Sequence, residues 1–404
     1  MHFRGGRWSL DESNRTLTYT RKVCRIAAIE ADDKKLAAAS TVAAVERLTR
    51  YDDRFAMGTD EWDRDPWLLN TPDGTVDLRT GRMRPHHRED YITKVAAVSP
   101  ADIGCPLFLE FMEKITNGDA ELIAFLQRSF GYAMTGITRE HALFFWYGRG
   151  GNGKSVLLNT VAGILGEYHT NAAMETFVDT HGDRHPTELA ALRGAHVVTA
   201  VETERGRQWA EAKIKALTGG DPISARFMRQ DFFTFTPQFK LVIAGNHKPS
   251  LRSVDQAIRR RFHLVPFIVD IPKEQQDKDL GEKLKAEWPA ILSWLIQGCL
   301  EWQRIGLAPP AVVSEATDEY LAAEDSIGNW IADRCVVDTT AWENVTALFG
   351  SYSDWARIAG EHPGTRKQFK EALEKSEKVR FSRTERGAGY SGLKLNPMLP
   401  ADRM

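Results

Sequence analysis

Cysteine is scarce and scattered in this 404-residue chain. Cys24, Cys105, Cys299 and Cys335 form no C-x-x-C pair, which argues against both a zinc framework and a disulfide-stapled scaffold. No apolar run approaches the roughly 18 residues that a membrane-crossing helix needs. The opening MHFRGGRW carries no apolar signal region, so an intracellular, reducing setting and no membrane partner are expected. Charge of neither sign dominates: 53 Lys and Arg stand against 55 Asp and Glu. That balance excludes a strongly cationic coating protein and leaves any nucleic-acid contact to local basic surfaces. Internal repeats and low-complexity tracts are also missing. What remains, 42% hydrophobic and 27% charged residues, is an ordinary globular composition with room for two to three domains.

The texture changes along the chain. Residues 1 to about 65 contain KKLAAASTVAAVERL, rich in residues that lose little on entering a helix. In PWLLNTPDGTVDLRTGRMRP, the PDG and TGR triplets punctuate β-prone runs and predict small hairpins. Helical spacing returns in CPLFLEFMEKITNG and AELIAFLQRSFGYAMTG, with glycines where helix ends are expected. We take 1–140 as an N-terminal domain of mixed α/β character. HALFFWYG, AHVVTAV, KLVIAGN and HLVPFIV are short, nearly continuous apolar runs, as in strands buried on both faces. They make 141–270 an α/β nucleotide-binding core. Residues 271–335 read as a helical extension in which Trp288, Trp294 and Trp302 suit core packing, and 336–404 as a small unit ending in a late hairpin.

Chemistry concentrates in the core. GRGGNGKS at 148–155 fits G-x-x-x-x-G-K-[ST] between a buried strand and a helix. Gly148, Gly150, Gly151, Asn152 and Gly153 would let backbone N–H groups approach phosphates, with the helix dipole adding to the attraction. Lys154 would neutralise the β and γ phosphates, and the Ser155 hydroxyl would ligate Mg²⁺. The strand AHVVTAVETE ends in two spaced acids, Glu202 and Glu204. We assign Glu202 to the metal side and Glu204 to activation of water, the reverse division staying open. KLVIAGN ends in Asn246, an amide suited to positioning that water, although an asparagine after a strand is also an ordinary turn residue. The run AIRRRF offers Arg260 or Arg261 as an arginine finger for a neighbouring subunit, or else a solvated, acid-paired face.

The order GRGGNGKS, VETERG, IKALTGGDPISARFMRQDFFTFTPQFKLVIAGNHKP and AIRRRF closely resembles the superfamily 3 helicases found as C-terminal halves of phage, plasmid and poxvirus primase-helicases. The likeness runs from about 66 to 335, and LTGGDPISAR is its most specific stretch. It implies a P-loop, AAA-like ATPase core, ATP and Mg²⁺ as cofactors, homo-hexameric rings and translocation on single-stranded DNA in a bacterial cytoplasm. It further implies that ISARFMRQDFFTF forms a hairpin in a central channel. There Arg226, Arg229 and Lys240 are candidates for DNA phosphates, while Phe232 or Phe233 packs or stacks. A winged helix is implied for the tail, whose residues 364–395 hold nine Lys or Arg against four Asp or Glu. Relatives often carry a primase ahead of the helicase. Only about 140 residues precede the phosphate loop here, so no primase activity is expected and a separate primase or polymerase would be the partner. The rival expectation is an ATP-controlled DNA-binding scaffold that recruits replication proteins without unwinding.

Overall fold

The computed structural model describes residues 1–179, 187–202, 206–251, 254–359, 363–375, 379–385 and 387–396. Its centre is a five-stranded parallel sheet. We number its strands β1 (Leu143–Tyr147), β2 (His169–Asn171), β3 (Val197–Glu202), β4 (Lys240–Gly245) and β5 (Phe262–Pro266). They lie in the order β5-β1-β4-β3-β2. The first strand therefore sits between the last two, and parallel pairing forces each connection to cross over the sheet.

Alternation along the strands feeds two cores. Phe144, Trp146, Val242 and Val265 face one layer, formed with the helices Pro106–Thr116, Ala120–Met134, Lys154–Leu165 and Trp288–Ile305. Leu143, Phe145, Val198, Ile243 and Leu264 face the other, where Trp209 and the helices Glu211–Gly219 and Ala311–Glu324 pack. Both faces are covered, which is why these runs read as continuous apolar segments. Trp302 is fully buried, and Trp288 and Trp294 pack against the first core.

Upstream, PDG and TGR do turn a three-stranded antiparallel meander, Leu68–Thr71, Gly74–Asp77 and Arg82–Arg84. The alanine-rich stretch forms a short 3-10 helix, Lys34–Ala37, and then an α-helix, Ala39–Thr49, and a further helix, Arg15–Glu30, precedes it. At the other end, helices Ser326–Arg334, Val345–Ile358 and Arg366–Lys375 enclose a third core with a three-stranded antiparallel sheet. The GAGYSGLKL segment is its last strand, Gly387–Leu395, paired with Arg380–Thr384 as the wing of a winged-helix-like unit.

The N-terminal region is fixed to the helical extension where two helix backbones touch. A Cβ on Gly131 would stand 2.1 Å from the Cys299 amide nitrogen, and one on Gly298 would stand 2.1 Å from the Gln127 carbonyl oxygen. Neither backbone can yield without opening the layer. Gly131→Ala should therefore cost about 1–3 kcal/mol or more, as overpacking does. Gly350→Ala, on a helix with open space around it, should gain about 0.5–1 kcal/mol. Urea-unfolding midpoints check both, and a wild-type midpoint for Gly131→Ala would contradict the close crossing.

Candidate active site

The site begins where β1 ends. Tyr147 lies in register with Gly245 of β4, and Gly245 with Glu202 of β3, so three strand ends stand side by side at the carboxyl edge of the sheet. With strands about 4.8 Å apart, whatever follows Gly245 lies between the loop after β1 and the end of β3. Asn246 occupies that place, exposed and one residue past β4. Glu202 is the last residue of β3, while Glu204 lies outside the described residues.

The loop Gly148–Gly153 folds back over the end of β1. Gly148 is held at φ +151°, and a Cβ there would stand 1.9 Å from the Phe267 carbonyl oxygen. Gly153, at φ +84°, caps the helix Lys154–Leu165 and would collide with Ile115 if it carried a Cβ. Asn152 brackets the loop: its Nδ2 donates to the Phe267 carbonyl at 2.6 Å, and its Oδ1 accepts from Lys154 Nζ at 3.1 Å. Gly150 and Gly151 form the exposed crest. The Lys154 ammonium also donates to the Gly148 carbonyl at 2.7 Å and to that of Arg149 at 3.4 Å. The side chain is 6% exposed, and burial pulls its pKa down to about 8. Carbonyl dipoles are a weak substitute for an anion, so an ammonium held this way is poised to move onto a phosphate chain. Ser155 is exposed at the first turn of the same helix, where its hydroxyl can reach a cation beside bound phosphates. The loop amides, Lys154 and Ser155 thus suit a phosphate chain.

The arginine run lies at the other end of the sheet. Arg261 directly precedes β5, and its carbonyl accepts from the Leu143 amide at the start of β1. The run therefore belongs to the amino edge, one strand length of about 17 Å from the phosphate loop. Arg260 is exposed, and no side-chain ion pair or hydrogen bond engages it among the described residues. Arg261 is 5% exposed and turned inward. Its Nε donates to Thr218 Oγ1 at 3.0 Å and its Nη1 to the Ala257 carbonyl at 2.7 Å. The expectation that Arg261 serves as a finger is corrected accordingly: its guanidinium is consumed inside its own subunit.

Beside that edge stands the hairpin Ile223–Ala225 with Phe233–Phe235. Its tip exposes Phe227, Met228 (71%), Arg229 and Phe232 (59%), with Arg229 at φ +60°. The Arg226 guanidinium lies 4.7 Å from the Phe232 ring centroid, and among the described residues its buried Nε has no hydrogen-bond partner. Phe233 is half-buried and stacked against Phe227. Lys240 does not belong to this surface. It is 1% exposed, and its ammonium donates to the Thr135, Ile137 and Gln238 carbonyls, with burial holding its pKa well below the ordinary lysine range. A DNA contact for Lys240 is excluded in this conformation, because those carbonyls take up its three protons.

Sequence reasoning passed over two further groups. The Lys248 ammonium rests 4.0 Å from the Tyr147 ring centroid, next to the phosphate loop, and Thr218 receives Arg261. Both lie in segments already singled out, NHKP and LTGGD. Long-range pairing of this kind has no local periodicity to reveal it.

The sheet order and the loop define a P-loop, AAA-like α/β protein. Residues 1–117 match the family described as D5 N terminal like, and residues 146–261 match DUF5906, a family of unknown function. The chain is 24% identical over 331 residues to "Putative helicase L207/L206" of Acanthamoeba polyphaga mimivirus, covering 76% of this chain and 34% of that protein. It is 29% identical over 231 residues to "Putative helicase 121R" of Invertebrate iridescent virus 3, covering 54% of this chain and 24% of that one. "Putative primase C962R" of African swine fever virus is 22% identical over 329 residues, 72% of this chain and 33% of the relative. The chain thus spans about a third or less of the length of these relatives. Among solved structures, the apo NrS-1 C-terminal region superposes with a TM-score of 0.49 at 10% identity, covering 88% of this chain and 91% of that one. Together the family matches and the named relatives support membership of a D5-like primase-helicase family. No helix among the described residues is long and apolar enough to cross a membrane.

The lowered pKa of Lys154 has a measurable consequence. The folded chain releases this proton near pH 8, whereas the unfolded chain holds it to the ordinary 10.5. Between those values the unfolded state binds more protons, so nucleotide-free stability gains from rising pH. Lys154→Met removes that gain. Urea midpoints from pH 7 to 10.5 should rise less steeply for the variant than for wild type, and parallel profiles would show that the ammonium is not desolvated.

Proposed function

We propose that the chain is the ATP-hydrolysing motor module of a superfamily 3 DNA helicase, working as a homo-hexameric ring on single-stranded and forked DNA. The division of the site between the two edges of one sheet carries this reading. Arg260 stands too far from the phosphate loop of its own chain to touch a nucleotide there. A second copy docked edge to edge would complete the site.

Gly148 to Gly153 and the start of the following helix hold the ATP phosphates through backbone N–H groups. Lys154 leaves the loop carbonyls for the β and γ phosphates, and Ser155 and Glu202 hold Mg²⁺. When bound, the ion neutralises charge on the phosphates. Asn246 orients the attacking water and Glu204 accepts its proton. Arg260 of the adjacent copy meets the charge that develops during transfer, a contribution worth about 10³–10⁵ in rate where such fingers act. On the hairpin, Arg229 meets the DNA backbone and Arg226 holds Phe232 in place. The replicon served is viral or plasmid-borne. The named relatives come from viruses of eukaryotes and give no support to a phage or a bacterial host.

Strand displacement on forked DNA, with ATP and Mg²⁺, tests the whole reading. Wild type should unwind and Lys154→Ala should not; strong DNA-stimulated hydrolysis without displacement would favour the recruiting scaffold. Arg260→Ala and Glu202→Gln should each be inactive alone and recover part of the activity when mixed, since mixed rings contain intact interfaces. Failure to recover at every ratio would remove the shared site. Arg229→Ala should weaken single-strand binding and reduce the slope of log affinity against log salt by about 0.7, the value for one phosphate contact on a single strand.

A further inference from the structure

Two of the proposed working parts, the hairpin and Arg260, lie at the amino edge of the sheet, and the chain between them is cross-tied. The helix Glu211–Gly219 leads through Gly220 directly into the hairpin strand Ile223–Ala225. Its Lys215 ammonium bonds Asp255 at 2.5 Å. Asp255 in turn caps the short helix Gln256–Arg259 by accepting from the Ile258 amide at 2.9 Å. One turn further on, Thr218 Oγ1 accepts from Arg261 Nε at 3.0 Å while donating to the Ile214 carbonyl at 2.7 Å. The Thr218 carbonyl meets His141 Nδ1 at 3.1 Å, beside the start of β1.

The two glycines of LTGGD fit this crossing. A Cβ on Gly219 would stand 3.0 Å from an Asp221 carboxylate oxygen and 3.6 Å from Arg261 Nη2. Gly220 lies at φ +77°, with Thr138 Oγ1 3.0 Å from where its Cβ would be. The turn that launches the hairpin is therefore packed around the guanidinium that follows Arg260 in sequence.

We propose that Arg261 and Thr218 are positioning residues that couple Arg260 to the hairpin, so that a displacement of the finger at a neighbour's nucleotide is transmitted to the DNA-facing loop. The proposal rests on the motor reading above. A two-ended tie is what such transmission requires: Lys215–Asp255 holds one end of the arginine helix and Thr218–Arg261 the other, so helix and turn move as one body. A single contact would leave a pivot.

The test compares wild type, Thr218→Val and Thr218→Ser by ATP hydrolysis with and without oligo(dT). Valine keeps the shape and removes the acceptor; serine keeps the acceptor. Thr218→Val should retain DNA-free hydrolysis and lose at least about fivefold of the stimulation by oligo(dT), the lower end of ordinary coupling between sites. Thr218→Ser should behave as wild type, which a merely space-filling role would not require. Undiminished stimulation in Thr218→Val would overturn the proposal. Should that variant not fold, amide exchange in wild type decides: added nucleotide should alter protection of 217–235 and 256–261 together, and a change in one without the other overturns the coupling. Wild type lacking any oligo(dT)-stimulated hydrolysis would instead sink the motor reading, whereas a motor that unwinds with the two segments uncoupled sinks only this inference.

Discussion

Everything functional in this molecule depends on one constraint: β1 is hydrogen-bonded on both edges and buried on both faces. A strand held that way has no freedom at its end, so the chain must turn over the sheet within a few residues. Gly148, Gly153 and the Asn152 bracket to Phe267 make the turn possible where Cβ atoms would collide with the layer above. The price of that tightness is a set of backbone N–H groups and a lysine gathered in a space that suits an anion. The phosphate binding we propose is thus a consequence of how a central parallel strand ends.

The same topology separates the chemistry into two edges. Parallel strands send all carboxyl ends one way, so Tyr147, Gly245 and Glu202 finish together while Lys240 and Arg261 begin together at the far side. One copy therefore presents a phosphate loop at one edge and an arginine with a hairpin at the other. That layout favours repeated edge-to-edge association over a self-contained site. Such an association would be a heterologous contact, the type that closes into rings when the rotation between copies permits.

Much of this was legible in the residues. Four of the five core strands announce themselves as apolar runs because both faces are buried, and the loop motif sits where its flanking elements require. β2, His169–Asn171, escaped because a three-residue strand of half-exposed polar residues at the sheet edge has no apolar signal. The meander was visible through its turn chemistry, which is local. Arg261 and Lys240 were misread for the opposite reason: their partners lie 43 residues away in one case and 105 in the other. Nothing within a window of ordinary length distinguishes them from solvent-facing bases.

Those two residues share a physical role. Lys240 donates to the Thr135 carbonyl, at the C-cap of helix Ala120–Met134, and Arg261 to the Ala257 carbonyl of helix Gln256–Arg259. Each supplies protons and positive charge at or near a helix carboxyl end, where carbonyls lack intrahelical donors and the dipole is negative. Each also directly precedes, or opens, a buried strand. A base at such a junction is drawn inward by backbone carbonyls that water cannot reach, and desolvating an ammonium or guanidinium is tolerable only because those bonds are made. Arg229 and Arg260 are exposed and have no comparable carbonyl partners among the described residues. The division among these four bases therefore follows from which of them stand beside an unsatisfied helix end, and it leaves the other two exposed.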